Sequence, residues 1–327
     1  MKLVISTLPK MPYWNLPRDA ALALSQEFPG LEVVYLETLD DRARALVDAD
    51  ALCSYWIQPE EFHAARRLRW LHTTAASVER LLIPDVVASP VVVTNSRGAN
   101  SPAVAEHVIA GLLALARKLP DAFRHQERRA WDTTSIWSYE PPLFELSGQT
   151  MGIIGLGSIG REVARRAAAL GMRVLATRRD PSRGSDFVER VGAPEELPWL
   201  LAESDVVVVC APLTRQSGTI LGARELALMK PSALLINVSR GQVVDEPALV
   251  AALVARRMRG AVLDVFIEEP LPASSPLWAL PHVIITSHYA GLSAQLWARV
   301  LSIFRENIRR FLIGEPLLNV VDKQRGY

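Results

Sequence analysis

The stretch MGIIGLGSIGREVARRAAALGMRVLATRRD, residues 151–180, decides the fold. An apolar run at 151–154 leads into Gly155-Leu156-Gly157-Ser158-Ile159-Gly160, a helical pattern follows at 161–170, and a second apolar run occupies 173–176. Strand, glycine loop and helix in that order mark a parallel sheet built to hold a dinucleotide pyrophosphate. The first glycine allows a tight turn, the second lets backbone approach the phosphates, and the third lets helix and strand pack closely. The helix start at Ser158 and Ile159 then offers N–H groups and the positive end of its dipole to the anion. A glycine turn with no ligand is the competing reading, and the order of elements disfavours it.

The end of the second run carries more. Folds that take NAD(H) place an acid ~20 residues past the loop, on the ribose hydroxyls. Here that position holds Arg178, with Arg179 beside it. Two guanidiniums suit a 2′-phosphate through charge-assisted, bidentate bonds, so NADP(H) is expected over NAD(H). Asp180 is the alternative acid, displaced by two residues, but Pro181 after it marks a chain that has left the strand.

Outward from this unit, apolar runs at 206–210, 234–238, 261–265 and 283–286 alternate with helix-length segments. Six such strands fit a doubly wound dinucleotide domain. The first hundred residues repeat the alternation, with strands expected at 2–6, 31–36, 51–55, 70–73 and 91–94 and helices near 17–27, 40–47 and 60–66. A smaller parallel α/β domain is expected there. A long helix is expected over 101–119, with Ser101 as N-cap and Pro102 at its first position, and a last one over 293–313. Residues 124–148 show no period but carry Trp131, Trp137, Tyr139 and Phe144, the composition of a contact surface.

Composition narrows the partners. The 327 residues suffice for two domains, and with 50% hydrophobic residues the chain can bury two cores. Lys and Arg total 36 against 35 Asp and Glu, a net charge of +1 that gives no support to a nucleic-acid or acidic-membrane partner. No apolar run reaches the ~18 residues of a membrane span, and the N-terminal run reads as a first strand rather than a signal peptide. Two cysteines, Cys53 and Cys210, both in apolar runs, supply neither a disulfide framework nor a metal cluster, so a reducing cytoplasm is expected and no metal.

Three later strands end in polar residues: Arg240 after Asn237-Val238-Ser239, Glu268 and Glu269 after Asp264-Val265-Phe266, and His288 after Thr286-Ser287. Strand C-terminal ends converge on the ligand crevice of an open parallel sheet, so one site would receive an Arg, a carboxylate and a His. Each alone reads equally well as a loop salt bridge, a solvated charge or a cap. Together, at three strand ends of one dinucleotide fold, they disfavour those separate readings.

With these residues in place the sequence resembles the D-isomer-specific 2-hydroxyacid dehydrogenase family. The resemblance runs through GLGSIG (155–160), GMRVLATRR (171–179), CAPLTRQSGTIL (210–221), INVSRGQVVDEPAL (236–249), LDVFIEEP (263–270) and TSHYAG (286–291). It implies an α/β protein of two doubly wound parallel-sheet domains. A Rossmann domain at 99–290 would be inserted into a flavodoxin-like substrate domain formed by 1–98 and 291–327, with the site in the cleft and a homodimer joined partly by the aromatic arm. It implies Arg240 as substrate-binding Arg, Glu269 as its Glu and His288 as acid/base. It also implies a cofactor surface that adds Cys210, Ala211, Pro212, Val238, Ser239, Asp264 and Ala290. The substrate carboxylate would further meet backbone N–H groups of Ala76-Ser77-Val78, where Ser77 replaces the family's glycine.

The expected activity is NADPH-preferring reduction of small 2-keto acids such as glyoxylate or hydroxypyruvate. Tyr55, Trp56, Trp137 and Tyr289 are the candidate bulky wall. Phosphite dehydrogenases of the family share the trio and stay as an alternative, as do corepressors that use the fold as a dinucleotide-gated module. Formate dehydrogenases carry Gln at the Glu269 position. With no segment after residue 327, a regulated phosphoglycerate dehydrogenase is not expected.

Overall fold

A computed structural model describes residues 1–6, 14–138, 140–214 and 218–327. Tyr139 of the aromatic arm and residues 215–217 of the CAPLTRQSGTIL motif lie outside the described residues. The chain divides into two compact units, one formed by Met1–Asn100 with Ser293–Tyr327, the other by Ser101–Leu292.

The first unit holds β1 (Lys2–Ser6), β2 (Glu32–Leu36), β3 (Ala51–Cys53), β4 (Trp70–Thr73) and β5 (Val92–Asn95) in the order β2-β1-β3-β4-β5. Every pairing is parallel, as in Leu3 opposite both Val33 and Ala51. This is the flavodoxin-like order. The helix Leu296–Ile313 returns to pack Leu301, Phe304 and Ile308 against Leu3, Ile5 and Trp70, and a bridge from Val320 to Thr94 fastens the tail.

The second unit holds β6 (Thr150–Ile154), β7 (Arg173–Thr177), β8 (Arg190–Gly192), β9 (Val206–Val209), β10 (Leu234–Asn237), β11 (Gly260–Leu263) and β12 (Val283–Ile285). Their order is β12-β11-β10-β9-β6-β7-β8, all parallel, the doubly wound Rossmann arrangement. Buried on both faces, its strands read as unbroken apolar runs rather than alternations. Val206 and Val208 join the core under the helices Ser101–Ala116 and Ser158–Ala169, while Val207 and Val209 join the opposite core with Leu200 and Leu253. Each buried valine contributes roughly 1.5 kcal/mol or more.

Four local expectations are corrected. A seventh strand, β8, extends the sheet beyond β7. The helix expected over 101–119 ends at Ala116, because Lys118 turns left-handed at φ 53. Ser101 is that helix's first residue rather than its cap, and its buried hydroxyl has no hydrogen-bond partner. A helix Leu119–Glu127, with Pro120 in its first turn, runs into the stretch without a period, and another, Thr133–Ser138, lies inside it. Trp131 and Trp137 there are 98% and 76% exposed.

Candidate active site

The three glycines of the phosphate loop differ as their chemistry requires. Gly155 has φ +96, and a side chain there would meet backbone of Ala211 at 2.6 Å. A Cβ on Gly160 would lie 2.3 Å from the Gly155 carbonyl oxygen, so helix and loop touch through backbone. Around Gly157 nothing lies within 4 Å of that added atom, so this side of the loop is open. Gly157 caps the helix that begins at Ser158, and Ile159 and Gly160 complete its first turn. The loop is fixed from both sides, Gly155 N–H donating to Thr177 and Cys210 N–H to Ile154. These residues fit a dinucleotide pyrophosphate.

At the end of β7, Arg178 donates through Nη1 to the Arg183 carbonyl at 2.6 Å, and Arg161 reaches the same oxygen at 3.4 Å. Burial, then the Arg161 charge, hold Arg178 below the usual arginine range. Arg179 beside it is exposed. Asp180 turns into its own loop, accepting from Ser182 and pairing with Arg183 at 3.1 Å. The strand end is thus a gathering of guanidiniums, of which the sequence reading named Arg178 and Arg179 and missed Arg161 and Arg183.

The Arg240 turn follows β10. Asn237 shapes it, accepting from Ser239 N–H at 3.1 Å and donating to the Arg240 carbonyl at 3.0 Å, while the Ser239 hydroxyl donates to Ala211. The Arg240 guanidinium donates to the Ser239 carbonyl at 2.7 Å. A Cβ on Gly241 would fall 2.0 Å from the Phe266 carbonyl carbon, so this turn lies directly on the loop that carries Glu269. Glu269, and not Glu268, reaches the histidine, with 2.7 Å between its Oε2 and His288 Nδ1. Its Oε1 accepts from Phe266 N–H at 2.9 Å. A carboxylate only accepts, so Nδ1 carries a proton and Nε2 is the ring nitrogen that Glu269 does not engage. Both side chains are partly exposed.

His288 sits in the left-handed region at φ 52, an unusual conformation for a residue with a side chain. Asp264 holds it there. The Asp264 carbonyl accepts from His288 N–H at 2.9 Å, and its carboxylate accepts from Tyr289 and Ala290 N–H groups, each at 3.1 Å. In the other unit, Ala76-Ser77-Val78 follows β4, with the Ala76 carbonyl held by Asn95 Nδ2 at 2.7 Å and Val78 buried. Of the candidate wall, Tyr55 is tied down by Thr74 and Trp14, and Trp56 lies under the Arg42 guanidinium at 3.6 Å. Tyr289 is exposed beside His288.

The model of the D-isomer specific 2-hydroxyacid dehydrogenase, NAD binding domain, matches residues 109–290. The chain belongs to the D-isomer specific 2-hydroxyacid dehydrogenase family. It is an NAD(P)-dependent oxidoreductase acting on the CH–OH group of donors. It is 35% identical to a glyoxylate reductase of Korarchaeum cryptofilum, over 85% of this chain and 84% of that one. A D-3-phosphoglycerate dehydrogenase of Archaeoglobus fulgidus is 34% identical over 93% of this chain, which spans only 55% of that relative's length. Among solved structures, a D-isomer specific 2-hydroxyacid dehydrogenase from Xanthobacter autotrophicus, in complex with NADPH and MES, superposes with a TM-score of 0.83 at 32% identity. That match covers 100% of this chain and 99% of the other.

Burial pushes both thiols, Cys53 and Cys210, up to about 12. Among the described residues no group of His, Cys, Asp and Glu could hold a metal, and no helix is long and apolar enough to cross a membrane.

Proposed function

We propose that this dehydrogenase reduces small 2-keto acids of the glyoxylate or hydroxypyruvate type to D-2-hydroxy acids, with NADPH as preferred donor. The bound nicotinamide supplies the hydride. Gly155, Gly157 and Gly160 with Ser158 and Ile159 would hold its pyrophosphate, and Arg178 and Arg179 its 2′-phosphate, aided by Arg161. Cys210, Ala211, Pro212, Val238, Ser239, Asp264 and Ala290 complete the cofactor surface in this reading. The unit Ser101–Leu292 is then the cofactor domain and the other the substrate domain.

The observation that carries the reading is the His288–Glu269 contact of 2.7 Å. Glu269 fixes the ring so that Nε2 points its proton at the carbonyl oxygen, where negative charge develops. Arg240 pairs with the substrate carboxylate. The arginines at the end of β7, with Asp180 folded into its own turn, support NADPH over NADH. The exposed Trp131 and Trp137 support a homodimer joined by the arm, since large exposed aromatics mark contact surfaces. A cytoplasmic location accords with the two unpaired cysteines.

Initial rates with glyoxylate, hydroxypyruvate, pyruvate and phenylpyruvate, each with NADPH and NADH, test the proposal. Turnover of glyoxylate or hydroxypyruvate with an NADPH preference is expected. Inactivity toward all four would reject it and turn attention to phosphite oxidation or a dinucleotide-gated module. His288→Ala should lower kcat by ~10²-fold or more with NADPH binding nearly intact, and unchanged turnover would remove His288 from the mechanism.

A further inference from the structure

His107 lies far from the trio in sequence, on the helix Ser101–Ala116, yet it brackets the loop that carries His288. Its Nε2 stands 3.1 Å from the Thr286 hydroxyl, two residues before His288, and its ring meets Tyr289 edge-on at 5.4 Å, one residue after. The hydrogens of this cluster can be placed. Thr286 donates its hydroxyl proton to Asp264 Oδ1 at 2.6 Å, so its oxygen accepts from His107, which must carry its proton on Nε2. The same Asp264 Oδ1 accepts from Tyr289 N–H, and Oδ2 accepts from Ala290 N–H. Asp264 is 2% exposed, so its full set of donors is what makes a buried carboxylate tolerable there. Burial holds His107 below its ordinary value, against the pull of Asp264 3.9 Å away, which keeps the ring in the neutral form this arrangement uses.

We infer that His107 is a positioning residue for the proton donor, acting through Thr286 and Asp264 to hold the left-handed turn at His288 and, by ring contact, the exposed Tyr289 beside it. His107 touches no reacting atom. It aligns Thr286, Thr286 and two backbone N–H groups orient Asp264, and Asp264 fixes the backbone from which the His288 ring projects toward Glu269. The inference rests on the reading of His288 as proton donor. Because a misplacement of about 1 Å at a reacting group costs up to about 10²-fold, loosening this cluster should act on turnover more than on binding.

The test is steady-state reduction of glyoxylate by NADPH, using the 327-residue chain and the variants His107→Ala, His107→Gln, Thr286→Val, Thr286→Ser, the double variant H107A/T286V, and His288→Ala as reference. Folded His107→Ala should lose about tenfold in kcat while the KM for NADPH stays within about twofold, and His107→Gln, which restores an N–H donor at similar reach, should recover most of the loss. Thr286→Val should lose a similar factor and Thr286→Ser little. If His107 acts through Thr286, the double variant is no worse than about the poorer single one, whereas independent roles would multiply the losses. Wild-type kcat in folded His107→Ala, multiplied losses in the double variant, or no rescue by His107→Gln would each overturn the inference. Should His107→Ala fail to fold, a normal kcat in Thr286→Val overturns it equally. Unimpaired His288→Ala would instead strike the proton-donor reading, while impaired His288→Ala with intact His107→Ala strikes this inference alone.

Discussion

Acidification from pH 7 to pH 5 should destabilise the chain through one residue in particular, His72. It lies on β4, 1% exposed, stacked on Phe304 with ring centroids 4.6 Å apart. Trp70 Nε1 donates to the Thr94 hydroxyl at 2.8 Å, and that hydroxyl sits 2.8 Å from His72 Nδ1. On the other side the Ser96 hydroxyl, 3.3 Å from Nε2, donates to the Thr73 carbonyl at 3.2 Å. The simplest proton assignment leaves Nδ1 accepting from Thr94 and a single ring proton on Nε2, while burial pushes the ring from its ordinary 6.5 to about 3. Between those two values the unfolded chain binds a proton that the folded chain refuses, so stability falls as pH drops below 6.5 and the loss is complete near pH 3. At pH 7 the penalty is only a few tenths of a kcal/mol; at pH 5 it is about 2 kcal/mol, the same for any folded value well below 5. Urea unfolding at pH 7, 6 and 5, followed by tryptophan fluorescence in the wild type and in His72→Gln, isolates the contribution. The variant starts from lower stability but should lose about 2 kcal/mol less across the range. Parallel losses in the two proteins would refute the reasoning.

Other expected outcomes concern the cofactor surface and the thiols. Gly160→Ala puts a Cβ 2.3 Å from the Gly155 oxygen, so it should cost about 2 kcal/mol in unfolding free energy and weaken NADPH binding. Gly157→Ala has room for its methyl group and should keep wild-type stability while weakening NADPH binding; equal stability losses in the two variants would contradict the distinction. Replacing Arg178 and Arg179 by alanine should raise the KM for NADPH about tenfold or more relative to that for NADH, and an equal effect on both cofactors would make them surface charge only. With both thiols pushed up to about 12, a colorimetric disulfide reagent at pH 8 should label neither cysteine of the native protein but both in denaturant; rapid native labelling would show that Cys210 is accessible.

The parts legible in the sequence were those written in local pattern. Val206–Val209 and Leu234–Asn237 are apolar runs bounded by polar residues, and their type and position follow from the run itself. Gly160 is legible for the same reason, since its constraint comes from the helix and strand on either side. β8 was missed because three residues, Arg-Val-Gly, offer no periodicity, and the strand exists only by pairing with Leu175–Thr177. The helices at Leu119–Glu127 and Thr133–Ser138 were hidden by aromatic and charged residues that leave no buried stripe. His107 was invisible for a different reason. Its hydrogen-bond partner is 179 residues away, and on its own helix it reads as one more residue between apolar positions. Asp264 was noticed as a strand end near the cofactor, but its hold on the loop of His288 needs the fold to be seen.

The interruption of the first unit by the second bears on how the chain is made. Residues 101–292 are contiguous and contain every strand of the seven-stranded sheet, so that unit is complete once its own segment has left the ribosome. The five-stranded sheet is synthesised earlier but waits longer. Until Leu296–Ile313 emerges, Leu3, Ile5 and Trp70 lack the Leu301, Phe304 and Ile308 that cover them, and Val320 has not yet met Thr94. A growing chain therefore carries an uncovered apolar face through the translation of nearly two hundred residues, about 10 to 40 s at usual elongation rates. During that interval the half-finished unit is the part most open to chaperone capture or to sticking to another nascent chain, and arrest of synthesis before residue 296 should release a product with a finished interior segment and an unfinished beginning.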